Sequence, residues 1–242
     1  MTRCKTHAVH VCLFLFLLLL LPFLASVPAY AQRGTIGVDA GETSDSFGGQ
    51  SATSAADFNL DGQMTVYKGN PKGGGFSVVA GGEIRLPSDS SNHATEFAVF
   101  GGPTFPFRNF TIGFDAQVRK ILLPSTTVNN QILARGTMEL FELPLVLRYA
   151  FGPAKHYFVQ VQGAPEFSPH WHHTAPSLIG LPNPGFDHGY FVRGSAGYSF
   201  GKWYAKATYE TRYFKFIQNP SNPDNLYNWR SNLITAGVGL NF

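Results

Sequence analysis

Residues 202–216 read KWYAKATYETRYFKF, and the reading of this stretch decides the fold. Trp203, Ala205, Ala207, Tyr209, Thr211 and Tyr213 fall on one side of an extended chain; Lys206, Thr208, Glu210 and Arg212 fall on the other. Side chains alternate across a strand with a period of two, so the spacing predicts a strand with one apolar and one charged face. A helix of the same sequence would mix these residues around its circumference.

The same alternation recurs along the chain. In TMELFELPLVLRYAF (137–151), Phe141, Leu143, Leu145, Leu147, Tyr149 and Phe151 oppose Glu142 and Arg148. Further strands are predicted at 75–87, 109–124, 156–167, 189–200 and 232–242. EFAVFGGPTF (96–105) is apolar on both faces, and 33–43 and 60–69 are weaker candidates. Short connections at 107–109, 152–155 and 201–202 alternate with long polar ones at 88–95, 125–136, 168–188 and 217–230. Tight turns at one end and long loops at the other mark an antiparallel up-and-down transmembrane β-barrel. Counting back from the last strand gives eight strands, and about ten if 32–74 contributes a hairpin rather than an N-terminal extension or plug.

The polar face collects Asp39, Glu83, Arg85, Asp115, Arg119, Glu142, Arg148, Glu166, Arg193, Lys206, Glu210 and Arg212. Alternation alone leaves open which face points inward, since a soluble lipocalin-like barrel or a sandwich carries the same stripes reversed. Three features favour charged-in: glycines on the polar face (Gly81, Gly113, Gly197, Gly237, Gly239), aromatics near strand ends, and Phe242 on the apolar face. These twelve charges are then expected to line the lumen.

The first residues set the compartment. Arg3 and Lys5 precede an almost wholly apolar run, and Ala29 and Ala31 follow it, as in a secretory signal cleaved after Ala31. The run is shorter than the ~20 residues of a spanning helix. Removing 31 of 242 residues leaves a 211-residue barrel domain, 32–242, without Cys4 or Cys12. The signal carries two of the 18 Lys and Arg and none of the 15 Asp and Glu, so the remainder has net charge +1. That balance offers no footprint for nucleic acid.

ITAGVGLNF at the carboxyl end resembles the terminal-strand signal that the bacterial barrel-assembly machinery reads, with Ile234, Ala236, Val238, Leu240 and Phe242 facing lipid. FELPLVLRYAF (141–151), YFVQVQGAPEF and GYFVRGSAGYSFGKWYAKATYE are similar to strands of PorT-like members of the outer-membrane β-barrel family, which share the small-barrel architecture of the OmpA transmembrane domain. The resemblance covers 75–242. It implies location in the bacterial outer membrane, outer-membrane lipid and the assembly machinery as partners, and no cofactor; it implies no activity.

For function, the first reading is an ion-paired interior with a structural or interaction role, because charges away from water must be paired. The second is a narrow charge-lined pore; five arginines inside leave little room for a wide porin. A third is a loop-borne ligand, metal or adhesion function: SPHWHHTAPSLIGLPNPGFDH sets His170, His172, His173 and His188 beside Asp187 in one expected outer loop, where imidazoles could bind zinc or copper. An enzyme is the fourth: these histidines with Glu166 or Asp187 could serve as a base, but no strand-to-helix nucleophile elbow and no omptin-like or lipid A deacylase pattern is recognised.

Overall fold

The alternating runs become strands, and each strand finds its neighbour in sequence. The computed structural model describes residues 33–48, 53–69, 75–123, 126–128, 131–133, 136–173, 185–219 and 222–242; the expected signal at 1–31 lies outside them. Ten barrel strands follow in order: β1 (Gly34–Phe47), β2 (Thr53–Lys68), β3 (Ser77–Pro87), β4 (Thr95–Phe107), β5 (Phe110–Phe114 and Ala116–Leu123), β6 (Gly136–Glu142 and Leu145–Phe151), β7 (Tyr157–His173), β8 (Gly185–Phe200), β9 (Trp203–Asn219) and β10 (Asn222–Asn241). Each pairs antiparallel with the next, and β10 pairs with β1, so the sheet closes. At the seam Gly34 N–H donates to Phe242 O (2.8 Å) and Phe242 N–H donates to Gly34 O (3.0 Å). Closure pairs the first and last strands of the barrel, and 126–128 with 131–133 form a separate two-stranded hairpin. The count is ten, with 33–68 supplying the first hairpin of the barrel.

Two connections are shorter than the composition predicts. β7 runs on to His173 and β8 begins at Gly185; β9 runs to Asn219 and β10 begins at Asn222. The polar stretches 168–173 and 222–230 are therefore largely strand, because cross-strand pairing overrides their weak β-propensity. The 88–94 connection differs in another way. Asp89 holds the turn by accepting from Ser91 N–H (3.1 Å) and Asn92 Nδ2 (2.7 Å), and the chain then dips inward, burying His93 and Ala94.

Along most of each strand the charged face points into the lumen and the apolar face points out. Val38, Phe58, Val99, Val118, Phe141, Val161, Tyr209, Ile234 and Val238 are exposed, while Asp39, Glu83, Arg119, Glu142 and Arg212 are buried. Toward the long-connection end the polarity reverses. Ile121, Leu123, Met138, Leu140, Phe214, Phe216, Trp229 and Ala94 pack together inside, while Lys120 and Glu139 pair on the outside (3.1 Å) beside exposed His170, and Arg230 is exposed on β10. Lys215 and Asp187 also pair outside, at 3.3 Å.

Glycines decide how rings fit in so narrow a lumen. Phe100 faces Gly81 directly across its strand pair, Phe158 faces Gly197, and Tyr204 faces Gly239. A Cβ on any of these glycines would collide with the ring opposite. At the break in β5, Asp115 N–H donates to Pro144 O (3.1 Å), and the Phe114 carbonyl comes so close to Gly102 that a Cβ there would strike backbone. Gly102→Ala is therefore expected to destabilise the barrel by about 1–3 kcal/mol, read as a lower urea midpoint in detergent; an unchanged midpoint would mean that β5 yields without cost.

Candidate functional site

Inward positions at mid-height bring together groups from every strand. Arg85 on β3 donates through Nε to Asp57 Oδ2 on β2 (2.9 Å), through Nη1 to Glu96 Oε1 on β4 (2.8 Å), and through Nη2 to Thr43 on β1 and Ser231 Oγ on β10 (3.3 Å). Glu96 also accepts from Arg119 Nη1 on β5 (2.7 Å), whose Nε reaches Glu142 Oε2 on β6 (3.2 Å). Arg212 on β9 donates Nη1 to Glu142 Oε1 (2.5 Å) and to Glu166 on β7, and its guanidinium sits 4.8 Å from the Phe191 ring centroid. Arg193 on β8 links Glu83 (2.6 Å) to Glu210, its Nε donating to Glu210 Oε2 at 2.7 Å. The result is a lattice tied to all ten strands and spanning the lumen.

The lattice separates two other zones. Toward the long connections lies the apolar cluster, with His93 Nδ1 2.9 Å from Asp45 Oδ2 at its edge. Toward the short turns lies a cavity of about 180 Å³ lined by Asp39, Asp61, Asp115, Arg148, Phe158, Tyr204 and Lys206 among others. There Lys206 Nζ pairs with Asp61 Oδ1 (2.5 Å) and Asp39 Oδ2 (3.0 Å). Outside the strands, hydrogen bonds from Asn92 and Ser91 hold the Asp89 carboxyl below its ordinary range.

Of the twelve charges read from sequence, Glu83, Arg85, Arg119, Glu142, Glu166, Arg193, Glu210 and Arg212 meet in the lattice, and Asp39, Asp115, Arg148 and Lys206 sit on the cavity wall. Sequence reasoning missed Asp57, Asp61 and Glu96. Asp57, Asn59, Asp61 and Gln63 alternate and could have extended β2 backward; Glu96 opens a run that reads as apolar on both faces. The histidines are not in one loop. His170 lies on β7 opposite Glu139, and His188 on β8 opposite Lys215, with its Nδ1 3.2 Å from Asp187 Oδ2. The side chains of His172 and His173 lie outside the described residues. Among the described residues no group of three or more His, Cys, Asp or Glu side chains could hold a metal ion.

No family model and no curated protein sequence matches the chain. Among solved structures it is similar to the outer membrane protease OmpT from Escherichia coli, at 12% identity and TM-score 0.45, covering 90% of this chain and 98% of that one. It is similar to Neisserial surface protein A at 11% identity and TM-score 0.41, covering 86% and 97%. The attachment invasion locus protein Ail of Yersinia pestis gives 11% identity and TM-score 0.28 over 87% and 99%. None of the three lends this chain an activity.

The lattice and the outer face make contrasting predictions. Glu96→Ala strips two buried guanidiniums of a partner and is expected to cost about 3–5 kcal/mol. Glu139→Ala removes only a half-exposed surface pair, worth at most about 1 kcal/mol. Equal urea midpoints for the two variants in detergent would show that the lattice does not brace the barrel.

Proposed function

We propose that the chain is an integral bacterial outer-membrane barrel of the PorT-like small-barrel kind, acting as a closed structural or interaction scaffold rather than as an enzyme or an open pore. The reversal of polarity along the strands carries this reading. A soluble barrel keeps its apolar side inward throughout; here the apolar side faces out over one band and turns in beyond it, as expected where strands leave lipid and enter water. On β9 the band runs from Trp203 to Tyr213, ten steps of ~3.3 Å at ~40° tilt, or about 25 Å of height. Its lower border is a row of touching rings, from Phe110–Tyr149 (centroids 4.5 Å) through Phe151 and Tyr157 to Tyr198–Phe200 (6.1 Å). Such girdles sit at headgroup level. The partners proposed are the surrounding lipid and, during biogenesis, the assembly machinery reading Ile234, Ala236, Val238, Leu240 and Phe242.

The closed lumen follows from the lattice and the apolar cluster stacked above it. Water and ions crossing the barrel would have to part guanidinium–carboxylate pairs held away from solvent, and then pass the packed cluster of Ile121, Met138, Leu140, Phe214, Phe216 and Trp229. The outer-rim charges support interaction more than catalysis, since Lys120 pairs with Glu139 and Asp187 with Lys215 and His188.

Three measurements test the proposal. The protein should fractionate with outer membranes and migrate faster on gels when unboiled; recovery in the soluble periplasm would overturn the placement. Planar bilayers holding the refolded protein should stay electrically silent, whereas a steady open level would overturn the closed lumen. Phe242→Ala should lower the folded yield several-fold while the barrels that form keep normal heat-modifiability; full yield would remove Phe242 from the assembly signal.

A further inference from the structure

Charges on the wall of the inner cavity are mostly satisfied. Lys206 lies between Asp39 and Asp61, and Arg193 between Glu83 and Glu210. Two are not. Asp115 is 7% exposed, and among the described residues no donor reaches its Oδ1. Arg148 stacks its guanidinium 4.1 Å from the Phe158 ring centroid and forms no ion pair among the described residues. A charge held away from water without a partner is costly, so a buried carboxylate and a half-buried guanidinium on one cavity wall favour an occupant that meets both.

The spacing says what kind of occupant. Arg148 is paired in register with Thr111 on β5, and Asp115 lies four residues further along that strand, about 13 Å of extended backbone. The side chains shorten this span, and the two groups form no ion pair with each other. The cavity of about 180 Å³ extends to the level of Ser199 and Asn241, beside the short turns. At ~30 Å³ per water, it has room for about six waters or a solute of comparable size.

We propose that this cavity binds a small zwitterion, its carboxylate on the Arg148 guanidinium and its ammonium on the Asp115 carboxylate, entering from the short-turn end. A simple anion would leave Asp115 unpaired and bring a further negative charge close to Asp39, Asp61 and Glu83. A simple cation would leave Arg148 unpaired. A net-neutral solute with charged ends several atoms apart satisfies both and adds no net charge to a poorly solvated space. The planar fork of Arg148, backed by Phe158, suits a bidentate carboxylate. This goes beyond the scaffold role and does not depend on the lumen being closed above the lattice.

Isothermal titration calorimetry on the purified, refolded full barrel tests it, with 4-aminobutyrate, 6-aminohexanoate, acetate and methylammonium as probes. One of the two amino acids should bind saturably with one site, at least tenfold tighter than acetate or methylammonium. D115N and R148Q should each weaken that binding at least tenfold while heat-modifiable migration is retained. No saturable binding of either amino acid, or acetate binding as tightly as they do, overturns the proposal, and this comparison needs only the unmodified protein. Unchanged affinity in both folded variants overturns it as well.

Discussion

Guanidinium groups held away from water are the constraint on which the rest of this barrel depends. Arg85, Arg119 and Arg212 are all but fully buried, and none could remain so without carboxylates within hydrogen-bond reach. Those carboxylates come from strands far apart in sequence: Asp57, Glu96, Glu142 and Glu166 on β2, β4, β6 and β7. Register is therefore coupled around the ring. A one-residue slip on β5 would turn Arg119 outward and take from each of Glu96 and Glu142 one of its two hydrogen-bonded guanidinium partners, so the lattice penalises wrong pairings as well as supporting the right one.

The same constraint explains where the glycines and rings lie. Once arginine side chains occupy mid-lumen, the space below must be filled without crowding. Phe100, Phe158 and Tyr204 do this by lying across glycines on the neighbouring strands, which supplies bulk where the opposite strand supplies none. Above the lattice the filling is ordinary apolar packing, with the Phe214 and Trp229 rings stacked at 5.4 Å. The interior thus changes along its axis from polar-walled cavity, to ion lattice, to apolar plug, and the exterior changes in register with it.

Much of this was legible in the alternation of KWYAKATYETRYFKF and its counterparts: strand after strand with a charged and an apolar face, joined by turns of alternating length. Eight of the lattice charges could be named from period-two counting. Glu96 could not, because its strand carries Ala98 and Phe100 on the same inward face and so presents no polar stripe. Nor could the polar character of 168–173 and 222–230 reveal strands, since those residues pair only because β6 through β10 extend beyond the band together. His93 lay in a Ser- and Asn-rich connection with every local mark of an outer loop, yet its ring is inside, 2.9 Å from Asp45.

What the sequence by itself determined is the face of each strand, because side-chain direction in an extended chain depends only on parity. It also determined the antiparallel order, because short connections permit little else. Which acid meets which base, where the polarity turns over, and that Arg148 and Asp115 face one cavity without partners were decided by the closed barrel alone. Those relations depend on register and stagger around the whole ring, and each strand adds an offset that no single stretch of sequence contains.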